Sequence, residues 1–142
     1  KALQSVSAAR EWPENLGVGR PYIVDERLED FLSALAFESM GQKNKALEIF
    51  QDIVEQTKTV WKKRSANFSL ALFALKKMGA HKEAAALLSD WKKTAEPEDS
   101  ALRWTDAVLT GNRDSILSFQ NERIIPDNDL ALLIRIGKFI DF

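Results

Sequence analysis

Apolar residues in this chain fall at helical spacing almost throughout. Leu28, Phe31, Leu32, Leu35 and Ala36 make one i, i+3, i+4 stripe, and Ala46, Ile49, Phe50 and Ile53 make the next. Phe68, Leu72, Leu75 and Met78 follow, with Ala71 and Ala74 as close-packing positions. Ala84, Leu87, Leu88 and Trp91 form a fourth set, and Leu130, Leu133, Ile136 and Ile140 a last one. No segment sustains the alternation of a strand.

Breakers and caps divide these stripes. A helix over 2–12 stops at Pro13, because the residue before a proline is pushed out of the α region. A loop spans 14–21, with Asn15, Gly17 and Gly19 inside it. Asp25 is placed to cap the next helix, which Gly41 ends. Helices are predicted over 43–56, 59–77 (or a shorter helix after an extra turn) and 82–93, with Gly79 between the last two. Pro97 and Asp99 open a helix that runs through Leu109, Gly111 breaks it, and a shorter helix covers 113–119. Pro126 and Asn128 introduce the final helix.

Two stretches repeat one plan. Residues 31–50 and 69–88 each hold an apolar helix, a Met-Gly stop, a short polar turn and a second helix opening on Lys or Glu and Ala. Gly41, Gly79 and Gly111 are 38 and 32 residues apart, on either side of the 34 of a tetratricopeptide repeat. Recurrence of this kind points to a helical solenoid, an architecture that mostly binds other molecules.

The first unit carries Ala34, Phe37, Gly41, Ala46 and Phe50 in an order and spacing that resemble the tetratricopeptide repeat. The second carries Gly79, Ala84 and Leu88, with Leu72 and Leu75 where a small residue and an aromatic are usual. The third keeps Gly111 and a general shape. The early tryptophan of the family is Asp30 or Phe31 in the first unit and Phe68 in the second. The closing proline is missing from the first unit, and Pro97 is one residue late in the second. The segment from Glu11 through Trp12, Pro13 and Asn15 to Pro21 is similar to one that precedes the repeats in large bacterial proteins of this kind. Those proteins have an amino-terminal β-rich domain, sometimes discussed beside carbohydrate-active enzymes. The resemblance implies an all-α, right-handed TPR-like superhelix of helix hairpins, about three pairs plus terminal helices. It divides the chain into an amino-terminal helix and loop (1–21), repeats at 25–57, 60–94 and 98–121, and a capping helix at 127–142.

Composition narrows the chemistry. The 142 residues suit one domain, and acids and bases nearly cancel to a net charge of −1. With no cysteine there is no disulfide, thiolate metal site or cysteine nucleophile. No apolar run approaches the roughly 18 residues that suggest a membrane span. A reducing compartment such as the cytoplasm is compatible with this, and the start at Lys1 reads as that of a fragment of a longer protein.

Candidate sites are few. The loop over 13–21 lacks the lysine and hydroxyl of a phosphate loop and reads as a connector. His81, the single histidine, has no partner nearby in sequence and reads as a solvated turn residue. Asp25, Glu26, Glu29 and Asp30 gather near a helix start, where the helix dipole favours acids. From Lys58 to Lys93, Lys58, Lys62, Lys63, Arg64, Lys76, Lys77, Lys82, Lys92 and Lys93 stand against Glu83 and Asp90, with Trp61 among them. This segment is read as wet helix faces or as partners for acids on neighbouring repeats, with a basic nucleic-acid surface as the alternative. Asn67-Phe68-Ser69 matches a glycosylation sequon by chance on a predicted helix.

The family analogy places Leu28, Phe31, Leu35, Glu38, Ser69, Phe73, Lys76 and Lys77 on the concave face, with a core position as the alternative for some of them, Phe31 and Phe73 above all. The residues of the family's chaperone-tail clamp are absent there, and that activity is not carried over. The expected function is a non-catalytic protein-interaction or scaffolding module, without catalytic, metal or cofactor residues, in a larger bacterial protein. Its partner is a protein or peptide, or a neighbouring domain of the same polypeptide, with no membrane. Alternatives are an accessory domain positioning a carbohydrate-active domain and a nucleic-acid-binding helical domain.

Overall fold

A computed structural model describes residues 2–11, 24–60, 66–96, 98–121 and 128–139. Within them the chain is helical and contains no strand. The elements are α1 (Ala2–Ala9), α2 (Arg27–Ser39), α3 (Lys43–Thr59), α4 (Phe68–Lys77), α5 (His81–Thr94), α6 (Ser100–Thr110), α7 (Arg113–Asn121) and α8 (Asn128–Ile136). Of the two forms expected over 59–77, the shorter helix after an extra turn is found: α3 runs on to Thr59, and α4 begins at Phe68, after a turn at Ala66 and Asn67. The loop over 13–21, Trp61 to Arg64 and Ile140 lie outside the described residues.

One turn is built three times. Gly41, Gly79 and Gly111 have φ of 76°, 74° and 69°, a left-handed conformation that costs glycine nothing and other L-residues about 1–2 kcal/mol. Two amides then fold back onto each helix end. Gly41 N–H donates to Glu38 O (3.0 Å) and Gln42 N–H to Phe37 O (2.9 Å). Gly79 and Ala80 do the same to Lys76 O and Leu75 O, and Gly111 and Asn112 to Val108 O and Ala107 O. These paired bonds satisfy carbonyls that a helix end leaves open. The next helix starts two residues after each glycine, so α2–α3, α4–α5 and α6–α7 are tight hairpins.

Starts differ more than stops. Asp99 caps α6 by accepting from Leu102 N–H at 2.9 Å, and its other carboxylate oxygen accepts the Trp91 indole N–H at 3.2 Å. The cap thereby ties α5 to α6. The N-cap position of α2 is Glu26, with no capping bond from its side chain; Asp25, one residue earlier, accepts the open Arg27 N–H of the first turn at 3.2 Å. His81 is the exposed first residue of α5.

Each helix from α1 to α7 packs on its successor, and α4 also meets both α2 and α6. Ala34 and Ala46 are buried in the first hairpin, where small side chains allow close approach. The centre of the core is α4, whose residues Phe68 through Leu75 are all buried. A helix apolar on every side needs cover on every side, and α2, α3, α5 and α6 all pack on this one. Phe73 meets Phe31 of α2 (ring centroids 6.4 Å) and Trp104 of α6 (5.7 Å, edge-on). Phe31 also packs on Phe50 at 5.4 Å, and Phe68 on Trp91 at 5.1 Å. The hydroxyls of Ser69 and Thr105 bond each other between α4 and α6, and Thr105 also donates to Ala101 O.

Candidate interaction surface

The eight residues expected on one open face part into two groups. Phe31, Ser69 and Phe73 are 0% exposed and belong to the core. For Phe31 and Phe73 this is the core alternative; for Ser69 it departs from the expectation. The positions that would line a groove are where α2, α4 and α6 touch, and their side chains fill the contact. Leu28 and Leu35 are half-buried against the same core. Glu38 is exposed, while Lys76 and Lys77 are half-buried. Lys77 Nζ reaches Glu38 at 3.8 Å, so the remaining polar part of the surface bridges the ends of α2 and α4.

The basic segment is met by acids of other helices. Lys58 of α3 pairs with Glu83 of α5 at 3.5 Å, and Lys92 of α5 with Asp106 of α6 at 2.8 Å. With Lys77–Glu38, three of these lysines are engaged between helices. Such exposed pairs contribute roughly 0.2–1 kcal/mol each and act more on register than on stability. Beside the first lies a groove of about 270 Å³ between α3, α4 and the start of α5. Val54, Leu75, Met78 and Ala80 give it apolar walls, and Gln51, Glu55, Lys58 and Glu83 a polar rim.

Sequence reasoning missed a buried polar centre. Arg27, at the first turn of α2, is 1% exposed. Its Nε and Nη2 donate to the two oxygens of Asp25 (2.9 and 2.8 Å), and its Nη1 donates to Thr57 Oγ1 (2.9 Å). Thr57 donates in turn to Ile53 O at 2.8 Å, and Asn67 Nδ2 donates to Asp25 at 3.3 Å. The network joins the start of α2, the end of α3 and the approach to α4. Burial pushes the Asp25 carboxyl up, but the hydrogen bonds and charge of Arg27, helped by Asn67, bring it below its ordinary value. One signal was available: Thr57 continues the apolar stripe of Phe50 and Ile53, and a polar residue on such a stripe asks for a buried partner.

A second carboxylate behaves oppositely. Asp30 of α2 is paired with Arg10, just after α1. Burial raises its pKa, Arg10 lowers it through charge and hydrogen bonding, and Glu26 and Asp52 raise it again; the net direction is up. Among the described residues, Arg10 Nε is buried with no hydrogen-bond partner.

Among the described residues no cluster of His, Asp and Glu has the arrangement of a metal site. Nor is any described helix long and apolar enough to cross a membrane. Comparison of the chain with protein-family models, curated proteins and solved structures found no match in any of the three.

Proposed function

We propose that the chain is a non-catalytic scaffolding or protein-interaction module, its hairpins stacked as a right-handed TPR-like superhelix. The observation that carries this reading is the hairpin built three times on a left-handed glycine, with the first helices in contact through Phe31, Phe73 and Trp104. Like units meeting through like faces are how a solenoid buries a continuous core. The partner is a protein or peptide, or a neighbouring domain of the same polypeptide. The working surface is the solvent-facing remainder of the expected set: Leu28, Leu35, Glu38, Lys76 and Lys77.

The burial of Phe31, Ser69 and Phe73 favours one form of this role. A closed contact between the first helices makes a stiff support rather than an open peptide groove. That suits an accessory domain that positions a neighbour, which the resemblance to bacterial repeat proteins would make a carbohydrate-active domain.

The test is a charge-reversed variant (Glu38→Lys, Lys76→Glu, Lys77→Glu) placed in the natural polypeptide, beside Lys93→Glu as a surface control. Cross-linking with mass spectrometry reads the neighbours of the module. The expected result is selective loss of cross-links to one partner or domain in the triple variant. Identical cross-links in all three proteins would remove this surface from the proposal. Nucleic-acid binding with a steep salt slope would replace it with the basic-surface reading.

A further inference from the structure

We infer that α1 is a detachable strap, latched onto α2 by the Arg10–Asp30 pair, which opens as a unit while the hairpins behind it stay folded. The contrast with α4 motivates this. Every residue from Phe68 to Leu75 is buried, whereas no described side chain of α1 is; Leu3 and Val6 are half-exposed, and Gln4, Ser5, Ser7 and Ala8 are exposed. An eight-residue helix is too short to persist alone in water, so its order rests on docking. That docking is against α2.

The latch is poorly made. Arg10 and Asp30 keep 33% and 22% of their side-chain exposure, so the pair is partly screened by water. Among the described residues Arg10 Nε is nonetheless buried and unbonded, which costs what the second bond of a guanidinium fork would have returned. Asp30 is further disfavoured as an anion by its burial and by Glu26 and Asp52. A helix with no buried side chain among its described residues and a compromised ion pair mark the low end of the local-stability range, where segments open without global unfolding. The strap differs from the Arg27 centre in this respect. There the guanidinium binds both oxygens of its carboxylate and a hydroxyl, with 2% side-chain exposure.

Amide hydrogen exchange on the whole chain tests the inference, comparing the amides of Val6 to Glu11 with those of Leu72 to Leu75. The expected result is that the α1 amides exchange at least 100-fold faster than the α4 amides. Arg10→Ala should speed α1 by a further two- to fivefold, the size of a partly exposed ion pair, and leave α4 unchanged. Arg10→Lys should restore part of the difference. Equal protection of α1 and α4 in the wild type would overturn the inference, as would acceleration of both together in Arg10→Ala.

Discussion

At the residue scale, the decisive interaction is the one that places a guanidinium in the core. Arg27 is buried among the two oxygens of Asp25 and the hydroxyl of Thr57. Removing Asp25 leaves a guanidinium of 2% exposure uncompensated, whereas removing Arg27 leaves a carboxylate that keeps 22% of its exposure. Asp25→Asn should therefore cost about 3 kcal/mol in denaturant unfolding at neutral pH, and Arg27→Met distinctly less. The pH dependence has a definite sign. Asp25 binds its proton less readily folded than unfolded, so its contribution is present above the ordinary value of 3.8 and is lost as pH falls through its lowered folded value. Asp30 holds its proton more readily when folded, so its contribution is present below that value and is lost as pH rises through its raised one. Unfolding followed from pH 2 to 6 should show the acid-side loss of stability shrink in Asp25→Asn. An unchanged acid-side slope would show that Asp25 is not the group responsible.

At the scale of the element, helix ends were more legible than helix starts. Three glycines mark three stops, and each has the left-handed backbone that the position demands. A Cβ at Gly79 would meet nothing within 4 Å, so its replacement is opposed by the dihedral angle alone. Gly79→Ala should cost about 1–2 kcal/mol, and Gly79→Asn less, since asparagine tolerates this region better; thermal or denaturant unfolding measures both. A larger loss for alanine would mean that contacts, not backbone, set the turn. Starts are less legible because one residue type serves two ends. Asp99 accepts from Leu102 N–H at the start of α6, while Asp25 accepts from Arg27 N–H at the start of α2 and also holds the Arg27 guanidinium. That second role is readable only from what folds against it.

At the scale of the molecule, the ladder from Phe50 through Phe31 and Phe73 to Trp104 makes neighbouring hairpins interdependent. Phe73→Ala should cost about 3–5 kcal/mol, and a double-mutant cycle with Trp104→Leu should return a coupling of about 0.5–1.5 kcal/mol. Additive losses would show that the hairpins are stabilised separately. The same ladder explains why part of the expected surface was misplaced. Helical periodicity tells which side of α2 or α4 is apolar, but α4 is apolar on all sides. Family analogy leaves Phe31 and Phe73 between the open face and the core and puts Ser69 on the face; contact between alternate helices buries all three.

The amino-acid sequence by itself determined what depends on neighbours a few residues away: the all-helical character, the three glycine stops, and the apolar stripes of α3 and α5. Hydrogen bonding within a turn and side-chain spacing on a helix are local, so a linear text records them. The tertiary structure alone decided the closed contact between α2, α4 and α6, the burial of Arg27, and the pairing of Arg10 with Asp30. Each depends on which surfaces meet across 20 or more residues of chain, and on whether desolvation there is offset by a bond that local spacing does not reveal.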